Sequence, residues 1–185
     1  RFIFASLLLT TTALAAPLNL DWTKNYEFLE VPAGFKYYMG DVSYGYVVYI
    51  GIEDIMGTTA ELQLFFVDKQ IWKALLILGP EGIDTHNCLS KNKQLVSLLN
   101  QKYGHYKTLQ VEKDPAIDEL LYVSACTPVG LGLYAAKYHW LTKLFLINSS
   151  LFGEDGEHYI EIEYIYRTRS KSGKKFDKNK ILKKL

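Results

Sequence analysis

From His158 to Arg167 the chain alternates with period two. Ile160, Ile162, Tyr164 and Tyr166 fall on one face, and Glu161, Glu163 and Arg167 on the other. Such a stretch is satisfied in an antiparallel sheet with one face on a core and one face in water. Lys143 to Asn148 precedes it. The intervening Ser149 to Glu157 is polar and carries Gly153 and Gly156, so the two runs read as a hairpin with an open tip.

The rest of the body fits around that pair. Glu61 to Val67 alternates, Asp68-Lys69-Gln70 turns, and Ile71 to Leu78 runs back, a hairpin with a three-residue connection. Asp21 to Gly34 reads as an irregular lead-in broken by Pro32 and Gly34. In Phe35 to Ile50, Tyr44, Tyr46, Val48 and Ile50 share one face if the segment is a strand. Ser90 suits the N-cap of a helix whose apolar face is Leu95, Leu98, Leu99 and Tyr103, closed by Gly104. Its wet face would be Lys91, Lys93, Gln94, Asn100, Gln101 and Lys102. Leu109 and Val111 suggest a short strand, Leu120 to Cys126 reads as strand or helix, and Thr127 to Gly132 as a loop. The expectation is an α+β fold: six or seven antiparallel strands in a mainly antiparallel sheet, with one principal helix packed on one face.

Several of these residues carry a resemblance. The helix ending Lys102-Tyr103-Gly104, the later Trp140, then Lys143-Leu144-Phe145-Leu146 and Tyr159 to Tyr164 resemble small, uncharacterised exported bacterial α+β proteins. There a strand pair precedes a helix ending in KYG, and a Trp-bearing strand precedes a closing hairpin. The likeness covers about residues 61–167 and implies a fold and a compartment, with no activity.

The start of the chain points to the same compartment. Arg1, the apolar run Phe2 to Leu9, and Ala13-Leu14-Ala15-Ala16 before Pro17 have the three parts of a cleaved secretory signal peptide. Residues 1–16 are therefore expected to be removed, leaving a single domain over residues 17–167 in the periplasm or the medium. Cys88 and Cys126 are the two cysteines. In an oxidising compartment a disulfide between them is the simplest reading, with free thiols or metal ligands as the rivals.

Charge divides the chain. From Pro17 to Tyr166, eleven lysines face nineteen Asp and Glu, a net of −8. From Arg167 onward nine basic residues face Asp177 alone, a net of +8. Lys174, Lys175, Lys178, Lys180, Lys183 and Lys184 mark this tail, residues 168–185, which is expected to be disordered or helical. It is either a solvated terminus or an arm for an anionic surface, and Ile181, Leu182 and Leu185 at helical spacing suit an anionic membrane. Export argues against nucleic acid as the partner.

No stretch carries a specific catalytic motif. No serine lies in a G-x-S-x-G context, and Gly130-Leu131-Gly132 lacks the third glycine of a phosphate loop. His86, Cys88, Cys126 and His139 have the donors for zinc but not the paired spacing, so no metal and no cofactor are expected. His105 suits the electrostatics of a helix end, and His158 reads as exposed at a strand start. Glu161 and Glu163 point the same way about 7 Å apart, a spacing usable by a glycoside hydrolase, with Lys143 placed to neutralise one of them. Tyr37, Tyr44, Tyr46 and Tyr49 are the candidate ligand-binding aromatics. The reading is an exported, non-enzymatic binding or adaptor protein for an envelope protein or surface component. The alternatives are a small hydrolase of cell-wall or glycan material using Glu161, Glu163 or His86, and a peripheral membrane protein using the basic tail.

Overall fold

The computed structural model describes residues 17–51, 56, 58–79, 88–114 and 126–167, with Glu154 by its backbone only. The signal-like segment, His86, residues 115–125 and the basic tail lie outside the described residues.

The fold is α+β, built from two antiparallel meanders fused into one sheet. The first meander comprises β1 (Phe35–Asp41), β2 (Tyr46–Gly51), β3 (Ala60–Val67) and β4 (Gln70–Leu78). Helix α1 (Cys88–Tyr103) follows. The second meander holds β5 (Thr108–Lys113), the one-turn helix α2 (Thr127–Gly130), β6 (Tyr134–Leu141), β7 (Phe145–Glu154) and β8 (Glu157–Tyr166). The sheet order is β1-β2-β3-β4-β8-β7-β6-β5, and every neighbouring pair is antiparallel. The closing strand of the sequence is therefore an interior strand of the sheet, with β4 on one side and β7 on the other.

Alternation decides which face is wet. On β3, Ala60, Leu62, Leu64 and Phe66 are buried, and on β8, His158, Ile160, Ile162 and Tyr164 are. On β4 simple alternation breaks, because Phe65 pairs with Lys73 while Phe66 pairs with Ile71. That bulge lets Ile71 and Ala74 both turn inward. Two hairpin tips are tighter than expected. Val67 pairs with Gln70 across Asp68 and Lys69, both at positive φ, so the connection has two residues rather than three. Likewise β7 runs on to Glu154 and turns at Asp155-Gly156 (φ 53° and 87°), so most of Ser149 to Glu157 is paired strand, not an open tip.

The core lies between the inner face and three covers. The first is the lead-in, which does more than connect. Leu18, Leu20 and Trp22 are buried, and the Trp22 ring meets Phe145 edge-on at 5.0 Å while its Nε1 donates to the Pro17 carbonyl at 3.2 Å. The second is α1, which holds Ser90 within it rather than at its N-cap. It turns Cys88, Asn92, Leu95, Val96 and Leu99 inward. Gly104 ends it at φ 80°, its N–H donating to the Asn100 carbonyl at 2.9 Å. Asn100, expected in water, instead has its Oδ1 accepting from Trp140 Nε1 at 3.0 Å and from the Tyr106 amide at 3.1 Å. Helix end and β6 are thereby pinned together.

The third cover is α2, where the sequence suggested only a loop. It seats on the β7–β8 tip through close glycine contacts: the Gly156 amide donates to the Gly130 carbonyl at 3.0 Å. A Cβ on Gly153 would stand 2.4 Å from the Val129 carbonyl oxygen. Cys126, just before α2, is disulfide-bonded to Cys88 with Cα atoms 6.0 Å apart. His158 beside it is 1% exposed, not at the surface, and its Nε2–H donates to the Cys126 carbonyl at 2.7 Å. Replacing both cysteines by serine opens a loop of 38 residues and is expected to cost about 4 kcal/mol in the chain-entropy account, read as a lower urea midpoint. A loss below about 1 kcal/mol would show that the bridge does not act through loop closure.

Candidate binding face

The outer face of the sheet gathers polar side chains from strands distant in sequence. Register sets the rows. Gln63, Leu75, Glu163, Asn148 and His139 stand side by side from β3 through β4, β8 and β7 to β6. In the next row Ile77 is flanked by Glu61 on one side and Glu161 on the other. Phe65, Lys73, Ile165 and Leu146 form the row beyond Glu163.

Glu163 is the hub. Its Oε1 lies 3.3 Å from Lys73 Nζ, and its Oε2 accepts from Asn148 Nδ2 at 2.7 Å. A carboxylate only accepts, so Asn148 must present its NH2 to Glu163 and its Oδ1 to His139. The 2.7 Å contact between that oxygen and His139 Nδ1 then places the proton on Nδ1 and leaves Nε2 as the outward nitrogen. At the other end Lys73 Nζ sits 4.3 Å from the centroid of Phe65 and 5.8 Å from that of Trp72, a cation held over aromatic faces. Lys73, Glu163, Asn148 and His139 thus form one chain of contacts across four strands.

Glu161 stands apart from that chain. Among the described residues it makes no hydrogen bond or ion pair. Burial, with the charge of Glu163 added, raises its carboxyl above the ordinary glutamate value of 4.5, while Lys73 opposes the shift. Glu61 accepts from Gln63 Nε2 at 2.5 Å through Oε1 alone. Three carboxylates against one ammonium leave the centre of the face negative.

Of the residues expected to form a site, Glu161 and Glu163 come together as the alternation implied. Lys73 of β4, not Lys143, is the cation beside Glu163. The four tyrosines are not gathered into one platform. Tyr49 is in the core, where burial pushes its hydroxyl up to about 12. Tyr37 lies against it at the β1 edge, ring centroids 6.2 Å apart, and its hydroxyl donates to the Gly40 carbonyl at 2.8 Å. Tyr44 sits on the Val42–Tyr44 turn between β1 and β2, 79% exposed, so Tyr44, Tyr46, Val48 and Ile50 are not one strand face. Tyr46 pairs with Phe65 on the outer side. The disulfide takes both sulfurs, and His139 stands on the opposite face of the sheet from it, so a zinc set of His86, Cys88, Cys126 and His139 is not assembled. Among the described residues no cluster of three or more His, Cys, Asp or Glu is placed to hold a metal, and no helix is long and apolar enough to cross a membrane.

Sequence reasoning missed Lys73, Asn148 and Glu61, and it took His139 only as a zinc donor. Each is a polar residue inside an apolar strand, which was the available signal. Their meeting depends on the β4–β8 and β6–β7 registers.

The raised Glu161 value fixes a sign. A carboxyl whose folded value lies above its unfolded value stabilises the fold below the unfolded value and loses that contribution as pH rises through the folded one. Glu161→Gln is therefore expected to stabilise the fold at pH 7 by no more than about 1 kcal/mol after solvent screening, read as a higher melting temperature. The gain should shrink as pH falls through the raised folded value and be gone below the ordinary value of 4.5. A variant less stable than the parent at pH 7 would refute this.

No family model, no curated protein and no solved structure matches the chain.

Proposed function

We propose that the protein is an exported, non-enzymatic binding protein whose ligand seats on the outer face of the sheet. The observation that carries this reading is the Lys73–Glu163–Asn148–His139 chain, a fixed polar row beside apolar Leu75 and Ile77. Both oxygens of Glu163 are engaged, which suits an anchor and disfavours a nucleophile. Glu161 and Glu61 offer accepting oxygens on either side of Ile77. The complementary ligand is cationic or rich in hydrogen-bond donors and has an apolar part. The signal-like start and the disulfide support export.

The probe is octalysine, titrated into the full chain by calorimetry at low salt. Binding is expected, weakened about tenfold or more in Glu61→Gln/Glu161→Gln, because hydrogen bonds to charged groups contribute about 1.5–3 kcal/mol each. Binding indifferent to that double change would overturn the reading.

One observation favours a second reading. Burial pushes the Glu161 carboxyl up, while Glu163 beside it is paired with Lys73 at 3.3 Å, so the two carboxyls sit in unlike surroundings, as an acid and its partner carboxylate do in glycan hydrolysis. If the protein releases sugar from cell-wall material, Glu161→Gln should reduce turnover at least about a hundredfold. Turnover that survives both Glu161→Gln and Glu163→Gln would exclude this site.

A further inference from the structure

We propose that the occupant of the outer face in the resting protein is the chain's own basic segment, residues 168–185, so that an external basic ligand must displace it. The inference rests on the reading of that face as a binding surface and names what covers it.

Three observations converge. The first is charge. Glu61, Glu161 and Glu163 against Lys73 leave the centre of the face negative, and residues 168–185 carry eight basic side chains against Asp177. The second is the point of exit. The Arg167 amide donates to the Leu144 carbonyl at 2.8 Å, and its Nη1 donates to the Thr142 carbonyl at 2.8 Å. The chain thus leaves an interior strand of the sheet, pinned at the β6–β7 turn, beside the row of Lys73 and Ile165. From Tyr166 back to Glu161 is about 17 Å along β8. Eighteen residues reach about 60 Å extended or about 27 Å as a helix, so either form can cover the acidic centre.

The third is apolar complementarity. Ile181, Leu182 and Leu185 are apolar residues at helical spacing among lysines, and Leu75 and Ile77 are the apolar side chains between the glutamates. A segment that places ammonium groups on Glu61 and Glu161 can lay these three over Leu75 and Ile77. Glu161, desolvated and without a cation of its own, is the side chain whose environment changes most on docking.

The experiment uses the full chain. A carbodiimide forms an amide between a lysine Nζ and an activated carboxyl with loss of water, and mass spectrometry locates the links. Links from Lys174, Lys175, Lys178 or Lys180 to Glu61 or Glu161 are expected within monomeric protein, and added octalysine should suppress them. Limited trypsin cleavage at those lysines should run about tenfold faster in Glu61→Gln/Glu161→Gln than in the parent, and parent and variant should converge in high salt. Equal cleavage rates would overturn the proposal. So would links found only between two copies, or vesicles of anionic lipid binding parent and variant alike with no links to the face. If octalysine binds the face but the tail links elsewhere, the tail proposal fails and the binding face stands. If octalysine does not bind and the tail makes no links to the face, both fail.

Discussion

The pairing of β4 with β8 is the constraint on which the rest depends. Each meander is local and can form from neighbouring residues, but neither four-stranded half closes a core alone. Joining them sets Lys73 opposite Ile165 and Leu78 opposite Ile160. It makes one inner face, over which the lead-in and α1 can pack. Contacts so far apart in sequence carry a large loop-closure cost. The disulfide between the start of α1 and the foot of α2 bears on that cost, because it shortens the free loop between the two halves.

The same pairing builds the outer face. Glu163 is on β8, Lys73 on β4, Asn148 on β7 and His139 on β6, so the contact chain exists only once β8 lies between β4 and β7. One residue of slip would turn Glu163 into the core and Tyr164 into water. Stability of the core and geometry of the face are therefore one requirement. The bulge opposite Phe65 and Phe66 adds to it by holding Lys73 outward, over the Phe65 ring, while Ile71 and Ala74 both stay inward.

A second brace sits where α2 meets the β7–β8 tip. Gly130 and Gly153 let backbones approach closer than any side chain allows, and His158 ties the strand to the carbonyl of Cys126. A histidine at a strand start reads as exposed in sequence. It is buried here because α2, folded over the tip, covers it.

What the sequence determined by itself is whatever repeats locally. The alternation of residues 158–167 and 61–67 assigned strands and faces, and it put Glu161 and Glu163 on the same side. The run Leu95 to Gly104 assigned a helix and its end, and two cysteines in an export-like chain assigned a disulfide. These follow from periods of 2 and 3.6, which need only near neighbours. The tertiary structure decided the strand order, the partner of Glu163, the burial of His158, the hydrogen bonds of Asn100 to Trp140 and Tyr106, and the scattering of the four tyrosines. It also placed Ser90 inside the helix instead of at its cap, two residues beyond the disulfide-bonded Cys88. Each of those depends on which distant strand lies alongside, and that is chosen by the fit of whole faces, which no local pattern records.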